Sequence, residues 1–163
     1  MNQLQEVFLE ELADIYSAES QLVKALPKMV KAAQAQELKD AFSAHLGETE
    51  NHVERLKQIF EMLGKTARAK KCKGMEALID EGKTIISENE DTSALDAALI
   101  CAAQKVEHYE IAAYGCLRTW AKIIDNQQAV GLLQQTLDEE EAADERLNQI
   151  AERSNQVAAE AMA

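Results

Sequence analysis

The sequence predicts an all-α protein, four long helices in two antiparallel hairpins joined by a crossover that carries a short helix. Three observations point there. First, the chain repeats itself at an offset of 91 positions. Glu19 is matched by Glu110, Leu26 by Leu117, Leu46 by Leu137, Glu48 by Glu139 and Glu50 by Glu141, and Glu54-Arg55-Leu56 returns as Glu145-Arg146-Leu147. A repeat of that size is one helical hairpin used twice. Second, one proline and six glycines in 163 residues, with few aromatics and much Ala, Leu, Glu and Gln, favour helix almost throughout. Third, apolar residues recur in alternating steps of three and four, the seam of a packed helix.

The whole chain, 1–163, reads as one domain with its first hairpin over 4–63. The seam of the first helix is Phe8, Leu12, Ile15, then Glu19, then Leu22, Leu26 and Met29. Pro27 should bend it. The second helix carries Leu38, Phe42, His45, Thr49, His52, Leu56, Ile59 and Leu63, and Gly64 is its stop. The crossover, 64–93, opens with a basic stretch from Lys65 to Lys73 and continues as an amphipathic helix through Met75, Leu78, Ile79 and Ile85. One long connection between two hairpins is the ferritin-like variant of four-helix connectivity. The second hairpin, 94–153, has a third seam of Leu95, Leu99, Ala102, Val106, Tyr109/Glu110, Ala113, Leu117 and Trp120. The fourth is Ala129, Leu133, Thr136, Glu140, Ala143, Leu147 and Ile150. The Ala-rich tail, 154–163, is expected to fray.

A net charge of −12 argues against binding to a phosphate backbone. No apolar run approaches the length of a membrane span, and no secretion signal is visible at the start. Three cysteines without zinc-like spacing fit reduced thiols and a cytoplasmic setting. Cys101 and Cys116 read as small buried helix residues, and Cys72 as a thiol in a basic loop. That basic loop reads as a solvated segment.

The chemistry lies in the acids. Glu19, Glu48, Glu110 and Glu139 each fall near the middle of a helix, and mid-helix residues of an up-down bundle share one level. Four ionised carboxylates there would repel strongly. Either protons or cations must sit among them. His45 and His52 stand one turn either side of Glu48, on its face of the helix. Glu107 and Tyr114 cluster with Glu110. Glu139 and Glu140 are adjacent, so only one can point squarely inward: the repeat favours Glu139 and the seam favours Glu140. Oxygen-rich sites with one or two imidazoles suit iron or manganese, and accept magnesium or calcium.

The string from Gln104 through Glu107, Glu110 and Tyr114 resembles the stress-associated YciE/YciF-type proteins of the ferritin-like superfamily. So do Tyr16-Ser-Ala-Glu19, His45-Leu-Gly-Glu48-Thr49 and Leu137-Asp-Glu139-Glu140. The resemblance spans nearly the full chain. It implies a four-helix bundle, a homodimer, a di-metal site and a stress-related role. Carried over to the di-iron pattern, Glu19 and Glu110 match the single glutamates, and Glu48 and Glu139 match those of the Glu-x-x-His pairs. The paired histidines are missing, because those positions hold Asn51 and Ala142. The expected ligands are therefore Glu19, Glu48, Glu110 and Glu139, with His45, His52, Glu107 and Glu140 in reserve. If redox-active iron binds, the reaction class is ferrous-iron oxidation or peroxide disposal. The rival reading is a metal-free structural or interaction bundle that keeps a buried acid cluster. Neither reading requires a nucleic acid, a membrane or a small-molecule substrate.

Overall fold

Asn2 opens the first helix with a reciprocal cap: its side chain accepts from the Gln5 N–H and its own N–H donates to Gln5 Oε1, both at 2.9 Å. The structure, a computed structural model, describes residues 2–161. Those residues form five helices: α1 (Gln3–Ala32), α2 (Gln36–Met62), α3 (Lys73–Asn89), α4 (Leu95–Ile123) and α5 (Gln127–Glu160). α1 continues through Pro27 to Ala32. Gly64, with φ of 65°, follows the end of α2 in the left-handed conformation that glycine adopts without cost. Asn126 caps α5 by accepting from the Ala129 N–H at 3.1 Å.

Side-chain pairs fix the direction of each packing contact. Tyr16 meets Phe60 edge-on across α1 and α2, with ring centroids 6.0 Å apart. Tyr114 of α4 bonds Glu19 of α1, and Asp96 at the start of α4 bonds the chain just after α1. Arg55 reaches Thr136, and Arg153 reaches Glu37, across α2 and α5. Arg118 bonds Gln134, and Gln104 bonds Asn148, across α4 and α5. In the pairs α1–α4, α2–α5 and α4–α5, residue numbers rise on one helix as they fall on the other. Each of these pairs is antiparallel. α3 lies against α4 and α1, its Met75 fully buried. Among the described residues, no helix is long and apolar enough to cross a membrane.

The turn between α1 and α2 hangs on one carboxylate. Asp96 Oδ1 and Oδ2 accept from the Gln34 and Ala35 N–H groups, each at 2.7 Å. Asp96 also sits in the first turn of α4, where a negative charge suits the helix dipole. Asp96→Ala is expected to lower stability by about 2 kcal/mol in a urea melt, since hydrogen bonds to a charged group are worth ~1.5–3 kcal/mol. A loss within the error of the melt would show that water replaces the carboxylate freely.

Two sequence expectations, the frayed tail and the burial of Cys101 and Cys116, are corrected, and the crossover gains two anchors. Of the tail expected to fray, 154–163, the described part is helical to Glu160 with Ser154 itself buried, and 162–163 lie outside the described residues. Cys72 is fully buried: its Sγ accepts from the Met75 N–H at 3.4 Å, as the cap of α3, and lies 3.0 Å from Tyr109 Oη. Cys101 and Cys116 are exposed, because both fall off the buried stripe of α4. The basic stretch folds back on α1, where Lys70 Nζ lies 2.8 Å from Glu10 and the Lys70 N–H bonds the Ala13 carbonyl.

Candidate metal centre

Four helices turn polar side chains into one level of the core. α1 supplies Glu19 and α2 supplies His45, Thr49 and His52. α4 supplies Glu107, Glu110 and Tyr114, and α5 supplies Glu140. Glu19, His52, Glu110 and Glu140 are 0% exposed, and Glu107 and His45 nearly so. His45 and His52 are seven residues apart on one helix face, and their ring centroids lie 6.4 Å apart.

The donors form two groups. Nitrogen or oxygen atoms of His45, Glu107, Glu110 and Glu140 lie within 4.8 Å of one another, and so do those of Glu19, His52 and Glu140. Glu140 belongs to both. His45 Nε2 is 3.2 Å from Glu107 Oε1 and 3.7 Å from Glu140 Oε2. His52 Nδ1 is 3.0 Å from Glu140 Oε1 and 3.3 Å from Glu19 Oε1. Close as they are, these contacts lack hydrogen-bond geometry. Glu19 Oε2, His45 Nε2, His52 Nδ1, Glu107 Oε2 and both oxygens of Glu110 and of Glu140 are buried without a hydrogen-bond partner. Buried polar atoms are seldom left so.

The outward nitrogen of each imidazole is engaged elsewhere. His52 Nε2 is 2.8 Å from Glu139 Oε2, and Arg55 holds Glu139 at 2.5 and 2.8 Å. His45 Nδ1 is 3.4 Å from Glu48 Oε2. Carboxylates behind imidazoles fix ring orientation and make the inner nitrogen a better donor. Tyr114 Oη donates to Glu19 Oε1 and orients that carboxylate too.

Burial, then the charges of Glu140, Glu19 and Glu107, push Glu110 well above the usual 4.5. Burial likewise lifts Glu107, against the pull of the His45 charge. It lifts Glu140 as well, although contact with His52 opposes it. Burial disfavours a charged His52, but Glu140 and Glu19 outweigh it and raise the imidazole to about 11. His45 is raised in the same way by Glu107 and Glu48. Burial also works against a charged Glu139, yet Arg55 and His52 hold its carboxyl below the usual value. Without a cation, protons therefore sit among these groups.

Of the sequence-derived candidates, the structure brings together Glu19, His45, His52, Glu107, Glu110 and Glu140. Glu48 and Glu139 lie at the margin, with side chains 43% and 28% exposed, and support the histidines from behind. The seam thus indicated the inward residue on α5, and on α2 the imidazoles point in where the repeat points to Glu48. Arg55 carries no mark as a site residue in the sequence. Its one signal is its place in the repeat, opposite Arg146.

The donor set suits a cation. Carboxylates and imidazoles converge with inner atoms unpartnered, and each imidazole is braced from outside. Fold and donors together define a class: an all-helical protein with a buried carboxylate–imidazole cluster held at mid-helix.

Over residues 3–161 the chain matches the family described as Domain of unknown function (DUF892), and it belongs to that family. It is 45% identical over 152 residues to Protein YciF of Escherichia coli (strain K12), covering 93% of this chain and 92% of that protein. It is similar to the crystal structure of the E. coli stress protein YciF, with a TM-score of 0.91 and 43% identity over 96% of this chain and 99% of that one. The structure of YcfI from Rhodopseudomonas palustris gives a TM-score of 0.87 at 41% identity, covering 90% and 94% of the two chains.

Proposed function

We propose that this chain is a ferritin-like four-helix bundle, made by α1, α2, α4 and α5, that binds two divalent metal ions among its central acids and serves in a stress response. The observation that carries the reading is the set of orphaned atoms, eight of them on six buried side chains that face one another. A cation is the partner that satisfies such a set at once. One position draws on His45, Glu107, Glu110 and Glu140, the other on Glu19, His52 and Glu140. Mixed oxygen and nitrogen donors favour iron or manganese over magnesium or calcium.

A redox-active metal bound here would supply one-electron exchange with an oxidant such as peroxide. The chain's own part is to bind and to orient. Glu139 and Glu48 brace the imidazoles, Tyr114 braces Glu19, and the surrounding core excludes bulk water. The likeness to a protein described as a stress protein supports the stress role. Three free cysteines are in keeping with a reducing, cytoplasmic setting. A homodimer completes the proposal, and sedimentation would check it.

One observation favours a metal-free structural bundle instead. Both central imidazoles are raised above their usual 6.5, His52 to about 11, and a protonated His52 offsets part of the acid charge. Elemental analysis of protein purified without chelator, followed by calorimetric titration with Mn(II) or Fe(II), separates the two readings. Two ions per chain are expected. Free metal at 100 times Kd should stabilise the fold by about 2.7 kcal/mol for each position it fills. Metal-free protein with a flat titration would leave the structural reading standing.

A further inference from the structure

We propose that a gap between α2 and α5 is the port to the buried donors, that Ala142 and Ala143 keep it open, and that Glu48 receives the hydrated divalent cation at its mouth. The inference rests on the metal-binding reading and adds the route to it. A cavity of about 140 Å³ lies there, lined by His45, Glu48, Glu107, Ala142, Ala143 and Arg146 among others. It joins an exposed carboxylate to a buried one: the Glu48 side chain is 43% exposed and that of Glu107 only 3%. Glu107 Oε2, at its inner end, has no hydrogen-bond partner.

The internal repeat explains why the gap is on this side. The 91-residue offset that pairs Glu48 with Glu139 also pairs Arg55 with Arg146 and His52 with Ala143. In one copy, Arg55 grips Glu139 through two hydrogen bonds, and Glu139 closes over His52. In the other copy, Arg146 and Glu48 both line the cavity, and among the described residues they form no ion pair with each other. A methyl group at Ala143 stands where the first copy has an imidazole. Ala142, three residues after Glu139, occupies the place of the missing Glu-x-x-His histidine. Two small side chains at these neighbouring positions leave the space that larger ones would fill. A hard oxygen donor at the mouth, on a chain of net charge −12, selects a cation.

The test compares the metal-free parent with Ala142→Phe and Ala143→Leu, each mixed with Mn(II) alone in a stopped-flow instrument. Ala112→Phe, on the exposed face of α4, serves as control. Plugging is expected to slow loading at least ~10-fold while stoichiometry and equilibrium affinity stay at the parent level, as for a gate. The control should load like the parent. Glu48→Gln should load more slowly and lose most of the parent's salt dependence. Parent-rate loading by folded, plugged variants would overturn the proposal. A second readout needs no metal: carbethoxylation of His45, mapped by mass spectrometry, should slow in Ala142→Phe while exposed His108 reacts as before. If the parent binds no metal, the metal reading falls and this labelling alone decides the route. Protection of His45 upholds it, and equal labelling refutes it.

Discussion

Glu140→Gln is expected to empty both metal positions, whereas Glu110→Gln is expected to empty one. Glu140 is the only side chain common to the two donor groups, and Glu110 belongs to one. Loss of an anionic inner ligand should cost more than the ~10–100-fold in affinity typical of an outer partner. Titration should thus show two ions per chain in the parent, one in Glu110→Gln, and none at micromolar metal in Glu140→Gln. Glu110→Gln has a second consequence. Both Glu110 oxygens are buried without partners, beside three other acids. An amide keeps the shape and removes the charge, so the apo variant should be more stable than the parent by about 1 kcal/mol wherever the parent carboxyl is ionised. That gain should shrink as pH falls, because the parent carboxyl then takes up its proton. Parent-like stoichiometry in both variants would dismantle the two-position arrangement.

The second large effect is a reversal of pH dependence on loading. Glu107, Glu110, Glu140, His45 and His52 all have folded pKa values above their usual ones. Each then binds more protons folded than unfolded. Its contribution is full below the usual value, 4.5 for the acids and 6.5 for the histidines, and is lost as pH climbs through the folded value. For His52 that loss extends to about 11. The apo protein should lose stability steadily between pH 5 and 9, at up to about 1.4 kcal/mol per pH unit for each group titrating. Glu139 acts oppositely: its lowered carboxyl contributes above 4.5 and is lost as pH falls below it. Bound metal competes with the same protons, so affinity and holo stability should rise over the window in which the apo protein weakens. Melts at pH 5, 7 and 9, with and without Mn(II), check both slopes. Parallel slopes would mean that the cation binds elsewhere.

The helices were legible because each seam is long and regular, and the motifs around Glu107, Glu110 and Tyr114 were enough to indicate the family. Six of the eight candidate ligands do converge in the structure. The two at the margin, Glu48 and Glu139, were favoured by the repeat, which reports ancestry rather than orientation. The seam reports orientation: on α5 it runs through Glu140, and on α2 through His45, Thr49 and His52. Arg55 escaped notice because a cation outside the seam looks like any surface residue until its partner across the groove is known. The two-sided engagement of the histidines was equally hidden, since it depends on the rotation of neighbouring helices. The burial of Cys72 was hidden because the basic residues around it are solvated while the cysteine turns inward to cap α3.

Both imidazoles come from the first hairpin, and three of the four inner carboxylates from the second. The duplicated halves have therefore diverged into complementary partners. Two copies of the first hairpin joined face to face would oppose four imidazoles with only two inner acids. Two copies of the second would bury six carboxylates with no imidazole among them. The first self-pairing puts imidazoles in excess and the second leaves acids with none, whereas the mixed pair sets two acids beside each imidazole. The same buried residues would thus disfavour mismatched pairing between the hairpins of neighbouring chains, a hazard inherent in any protein built from two similar halves.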